Sequence, residues 1–278
     1  MTTRLTKSAR LLLDHIDLSR ASPRRVGTLV AHEGLMLEVE GFPQPLGSNA
    51  RIVTDGRQDV RGEVVGFRGH RSLILPFDSD APFVAGARVV SDGEGGIAAC
   101  GNALLGRVID AHGNPLDGRA PISSRYSWPL TGRKVNPLRR SRVTKVIDSG
   151  VRSINGLLTM GEGQRVAIIA GSGVGKSVLM GQMLSGVECD VIVVGLVGER
   201  SREVSDFIET KLTPGIRQKS VVVAVPADHP PLLRLRAAMR ATAIAEFFRN
   251  EGKRVFLLVD SLTRVAHAQR EIGLSLGE

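Results

Sequence analysis

Ala170-Gly171-Ser172-Gly173-Val174-Gly175-Lys176-Ser177 decides how the rest of the chain is read. The segment fits the phosphate-loop pattern G-x-x-x-x-G-K-[ST] except at its first position, where Ala170 replaces glycine. The physics survives that change. Gly171, Gly173 and Gly175 let the backbone curl until successive N–H groups face one anion. A helix opening at Ser177 and running to Leu184 adds the positive end of its dipole. Lys176 supplies a point charge for the β and γ phosphates of ATP, and the Ser177 hydroxyl supplies a ligand for Mg²⁺. Residues Ala170 to Val178 are therefore the expected nucleotide cradle. The bland alternative, a glycine-rich turn with no ligand, fits the context less well: an apolar strand, Arg165–Ala170, is expected before the loop and a helix after it.

Downstream, apolar runs alternate with helical patterns. Val191–Gly195, Val221–Val225 and Val255–Val259 read as fully buried strands. A polar helix is expected from Ser201, and another opens at Pro230-Pro231 and closes near Gly252. That second helix carries a stripe of Leu232, Leu235, Met239, Ala243 and Phe247. Continuous apolar strands between helices predict a parallel sheet covered on both faces, an α/β fold. Asp260 ends the last strand, where α/β folds place their ligands, and is the expected second holder of Mg²⁺. Glu199, in Gly198-Glu199-Arg200, follows another strand end. It reads either as a base for the attacking water or as an acid stabilising the next helix's N-terminus.

Upstream the texture changes. Between Val26 and Val90 short runs are broken by Gly and Pro, and Leu35, Leu37 and Val39 alternate with Met36, Glu38 and Glu40. Ile52–Val53, Val60–Phe67 and Ser72–Leu75 continue the pattern, which predicts a small β-barrel. Leu5, Leu12 and Ile16 share one face of an amphipathic helix over Arg4–Arg20, ended by Pro23. That helix is either packed or a partner site. The expected organisation is 1–22 helix, 23–92 barrel and 93–278 nucleotide domain.

Bulk properties narrow the class. Hydrophobic residues make up 42% of the 278, enough for a core, and no apolar run approaches a membrane span. The N-terminus lacks a secretory pattern. Cys100 and Cys189 show no paired spacing, which fits a reducing compartment rather than a disulfide scaffold or zinc site. Net charge is +9, with eight basic and no acidic residues from Arg119 to Lys145. Such a run serves nucleic acid or anionic lipid, or is a solvated face or one meeting an acidic partner. Without aromatic interleaving, and with Tyr126 and Trp128 together at one end, the second pair of readings fits better and nucleic acid is not an expected partner.

At this point the residues resemble a known family. Gly150-Val151-Arg152-Ser153-Ile154-Asn155-Gly156-Leu157-Leu158 leads into the phosphate loop, and with Leu105–Asp110, Val193–Arg200, Asp260–Arg264 and Ala268–Gly273 it resembles the type III secretion ATPases. These are relatives of the catalytic β subunit of F-type ATP synthase. The resemblance covers the chain from about residue 25 to its end. It implies an N-terminal β-barrel, a RecA-like P-loop domain and a small helical C-terminal domain, assembled as a homo-hexamer. It implies ATP hydrolysis driving type III protein export, with the flagellar branch preferred over the injectisome. It implies a stator protein at the N-terminal helix, chaperone–substrate complexes, a membrane export gate and a cytoplasmic site beside the inner membrane. It makes Glu199 the catalytic base and sets Arg200 on the γ-phosphate.

Two departures accompany the resemblance. Val265 stands where the family usually has an aromatic. The chain stops at Glu278, before the family's Pro-Pro-Ser segment, arginine finger and C-terminal domain, so an incomplete domain with Arg165–Ala170 as an edge strand is expected. An ATP synthase β-like subunit, a Rho-like helicase and a remnant that binds nucleotide or stator without turnover are the competing readings.

Overall fold

The computed structural model describes residues 25–54, 58–171 and 173–278. The helix expected over Arg4–Arg20 and the loop residue Ser172 lie outside the described residues. The chain divides into two compact units. One runs through Pro76 and resumes over Ala81–Gly93; the other comprises Phe77–Asp80 and Glu94–Glu278.

The first unit is a closed antiparallel barrel. Its strands are β1 (Val26–Glu33), β2 (Met36–Glu40), β3 (Ser48–Ile52), β4 (Val60–Arg68), β5 (Arg71–Pro76) and β6 (Arg88–Glu94), joined in the order β1-β2-β5-β4-β3-β6. Leu29, Leu37, Val39, Phe42, Ala50, Ile52, Val64, Ile74 and Val89 fill the interior. Closure leaves no free edge, which suits strands this short. The alternation expected in β2 is only half right, because Met36 and Glu38 are buried along with Leu37 and Val39. Glu38 is tolerated there because Arg71 donates to its Oε2 at 2.8 Å and Arg68 pairs with Oε1. The Arg71 hydrogen bond is the main reason its carboxyl is held below the usual carboxylate range.

The second unit begins with β7 (Ile97–Cys100), β8 (Arg107–Ile109), β9 (Tyr126–Pro129), β10 (Val146–Ile147), helix α1 (Arg152–Leu157) and β11 (Met160–Gly161). It continues with α2 (Lys176–Gly186), β12 (Val191–Val197), α3 (Ser201–Lys211), α4 (Pro214–Gln218) and β13 (Ser220–Val225). It closes with α5 (Pro231–Asn250), β14 (Val255–Asp260) and α6 (Leu262–Leu276). Strands β14-β12-β13-β8 form a parallel sheet. Alternate residues serve opposite faces, as period two requires. Val191, Val193, Val221, Val223 and Val225 pack with Ala237, Ala241, Ile244 and Phe248 of α5. Ile192, Val194, Leu196, Val222 and Ala224 pack with Met180 and Leu184 of α2 and Val204 and Phe207 of α3.

Two expectations need correction. Residues 164–170 form no strand. Val166 is 54% and Ile169 94% exposed, and only Ile168 packs against the core. Among the described residues β14 offers the stretch a ladder on one side only, so a single new row of hydrogen bonds would bury little apolar surface. The stripe of α5 is also displaced. Its most deeply buried residues are Ala237, Ala241, Ala243 and Ile244, and Leu235 and Met239 are only partly buried. The helix is enclosed on several sides, by the sheet and by α6 and β7, so burial extends nearly all round it.

Candidate functional site

The site is assembled at the C-terminal ends of the parallel strands, where α/β folds bind ligands. Gly173 and Gly175 take φ of +78° and +96°, conformations side chains resist, and Gly175 caps α2. The loop residues 173–175 and Ser177 are exposed. Lys176 is the first residue of α2, and its Nζ reaches Oδ1 of Asp260 at 2.5 Å. Asp260 ends β14 and is 7% exposed. The lysine that follows the loop glycines and the acid at the end of β14 thus meet, although they are far apart in sequence.

Glu199 follows β12 in the turn into α3. The turn is fixed by backbone bonds from Gly198 N to Val225 O (2.7 Å) and from Ala227 N to Glu199 O (3.0 Å). Burial pushes the Glu199 carboxyl up, reinforced by a hydrogen bond with Glu203 and the nearby charge of Asp260; Arg264 and Lys176 oppose this. A raised carboxyl at the mouth of a phosphate loop is the electrostatic profile of an acid–base group.

Arg264 was not singled out from the sequence. Its Nε lies 3.4 Å from Glu199 Oε1, in the first turn of α6. Gly198, at φ +72°, makes room for it: a Cβ there would stand 2.6 Å from Arg264 Cδ. The cue in the sequence was an arginine four residues beyond Asp260, at the start of a helix. Arg200, by contrast, points outward. Its side chain is 67% exposed and 3.7 Å from Glu203. Ala170 and Gly171 are exposed beside the loop, and Val178 is 57% exposed on α2.

Ser177 and Asp260 offer hydroxyl and carboxylate oxygens, the donor chemistry Mg²⁺ prefers. Among the described residues no group of three or more His, Cys, Asp or Glu side chains could hold a metal by itself. No described helix is long and apolar enough to cross a membrane.

A parallel sheet ending in a phosphate loop, an acid and a partly buried glutamate defines a P-loop nucleotide-binding protein. Residues 150–278 match the model of the ATP synthase alpha/beta family, nucleotide-binding domain. The chain is 48% identical over 291 residues to the flagellum-specific ATP synthase of Salmonella typhimurium, covering 100% of this chain and 64% of that protein. It is 44% identical to a type 3 secretion system ATPase of Xanthomonas euvesicatoria, covering 92% of this chain and 58% of that one. The assembled ATPase EscN from the enteropathogenic E. coli type III secretion system superposes with a TM-score of 0.84 at 37% identity, covering 91% of this chain and 60% of that chain. EscN has also been solved in complex with its central stalk EscO, with a TM-score of 0.83. The chain spans about three fifths of the length of these relatives.

Proposed function

We propose that this chain is an ATPase of type III protein export, of the flagellar branch. The observation that carries the reading is the meeting of Lys176, Asp260 and Glu199 at one sheet end. The similarity to flagellum-specific ATP synthases supports the branch. In this reading the backbone N–H groups of 170–175 and Lys176 hold the β and γ phosphates. Ser177 and Asp260 hold Mg²⁺. Bound Mg²⁺ supplies neutralisation of charge on the phosphate oxygens. Glu199, partly buried beside the loop, orients the attacking water and accepts its proton. Arg264 faces the same carboxylate, and Arg200 reaches the γ-phosphate by turning away from Glu203.

The assembled relatives support a homo-hexamer. A stator protein on residues 1–22, chaperone–substrate complexes, an export gate and a cytoplasmic position at the inner membrane complete the proposal. Nucleotide binding is tested by calorimetry on Lys176→Ala. Loss of one charge-assisted contact, roughly 1.5–3 kcal/mol, should weaken MgATP about ten- to a hundredfold. Equal affinity in parent and variant removes the phosphate-loop assignment. Deleting the gene should abolish swimming and leave host-cell injection intact; the reverse pattern would favour the injectisome.

A further inference from the structure

We infer that the Lys176–Asp260 contact is a latch that makes the site admit triphosphate and divalent cation together and resist either alone. The inference rests on the nucleotide-site reading above. Its basis is that the two groups meant for different ligands occupy each other. Lys176 Nζ sits 2.5 Å from Asp260 Oδ1, with the lysine side chain 31% and the aspartate side chain 9% exposed. The pair is costly to break on the aspartate side, because an abandoned Asp260 keeps its charge with little water to solvate it, while an abandoned Lys176 is left facing the cation that displaced it.

The surroundings sharpen that asymmetry. Glu199 already feels the charge of Asp260, and Glu203 bonds to Glu199. If Lys176 leaves for phosphate oxygens with no cation present, Asp260 becomes an uncompensated carboxylate beside Glu199, facing a polyanion. If a cation alone takes Asp260, Lys176 is left as an unpaired ammonium next to it. When both ligands arrive, Lys176 exchanges carboxylate for phosphate and Asp260 exchanges ammonium for metal. Each charge then keeps an opposite partner. Arg264 faces Glu199 rather than Asp260.

The test is a binding cycle read by calorimetry, without turnover. Parent, Asp260→Asn, Lys176→Met and the double variant are titrated with ATP in excess chelator and again in excess Mg²⁺. The latch requires Asp260→Asn to tighten Mg-free ATP by about tenfold, equivalent to ~1.4 kcal/mol. It also requires that gain to shrink to about twofold or less in the Lys176→Met background, where there is no pair to break. A similar gain in both backgrounds means simple repulsion by Asp260 and overturns the latch, as does no gain at all. Parent alone gives a second check: Mg²⁺ must raise its ATP affinity. No heat of binding for parent under either condition overturns the nucleotide-site reading itself. Binding by parent with equal affinity in chelator and in Mg²⁺ overturns only the latch.

Discussion

Arg264 reaches from the first turn of α6 to within 3.4 Å of Glu199, passing over a glycine that has no side chain to block it. The relationship links the turn after β12 to the helix after β14, and it makes Gly198 as consequential as either charged residue. Gly198→Ala must both hold φ near +72° and displace Arg264. The left-handed conformation alone should cost about 1–2 kcal/mol. Chemical denaturation of the purified variant measures this; unchanged stability would show that the turn can relax.

Glu199→Gln keeps the shape and loses the base. MgATP binding should persist while hydrolysis, measured in an assembly with turnover, falls by roughly 10²–10⁴. The same variant tests the electrostatics. Glu199 titrates above its unfolded value, so parent stability should fall as pH rises from the unfolded pKa through the folded one. The glutamine variant lacks that loss. Its melting temperature should exceed the parent's at neutral pH, and the gap should close below about pH 4.

Asp117 has the opposite sign. Arg107 donates to it through Nε at 2.7 Å and Nη2 at 3.0 Å, and Asp117 is 2% exposed. The Arg107 hydrogen bond, helped by the backbone N–H groups of Arg119 and Val108, holds the carboxyl far below its ordinary range. This contribution is present above the unfolded pKa and drains away as pH falls below about 4. Asp117→Asn should lower the melting temperature by several degrees at neutral pH and flatten the acid limb of the stability profile. Thermal melts across pH 2 to 7 decide it.

Ile169, at 94% exposure, lies in the stretch beside the phosphate loop that forms no strand. Val166 and Leu257 are also exposed, and β14 ends the sheet. An uncovered strand edge with apolar neighbours invites association. Ile169→Lys should change stability by no more than about 0.5 kcal/mol while reducing self-association. Light scattering over a concentration series reads the second effect; equal mass distributions would place the sticky surface elsewhere.

The contrast between β12 and residues 165–170 shows where sequence reading stops. Both are strand-like runs. Val191–Val197 has hydrogen-bonded neighbours on both sides and is buried throughout. The other run has the same local character and no second neighbour among the described residues, and pairing is not a local property. Lys176 and Asp260 were legible because a loop pattern and a strand end are local. Arg264 was not, because its role depends on a missing Cβ at Gly198, sixty-odd residues away. Glu38 likewise read as a solvent-facing member of an alternating strand until Arg68 and Arg71 were brought across the barrel to it. Val265, where relatives were expected to carry an aromatic, packs against the core cluster of α5.

Trp128 is the chain's only tryptophan, and Tyr126 its only tyrosine. Trp128 is 4% exposed, donates from Nε1 to Glu246 at 2.9 Å, and carries the Arg133 guanidinium 3.9 Å above its ring. Both chromophores belong to the second unit. The barrel is therefore optically dark at the wavelengths used to follow most unfolding reactions. Indole emission will track the nucleotide unit and miss the barrel, whereas the amide signal sums the two. Midpoints that differ between these probes would mean two units melting separately, not an intermediate within one. A single fluorescence curve on this protein, however sharp, measures the stability of only one of its two units.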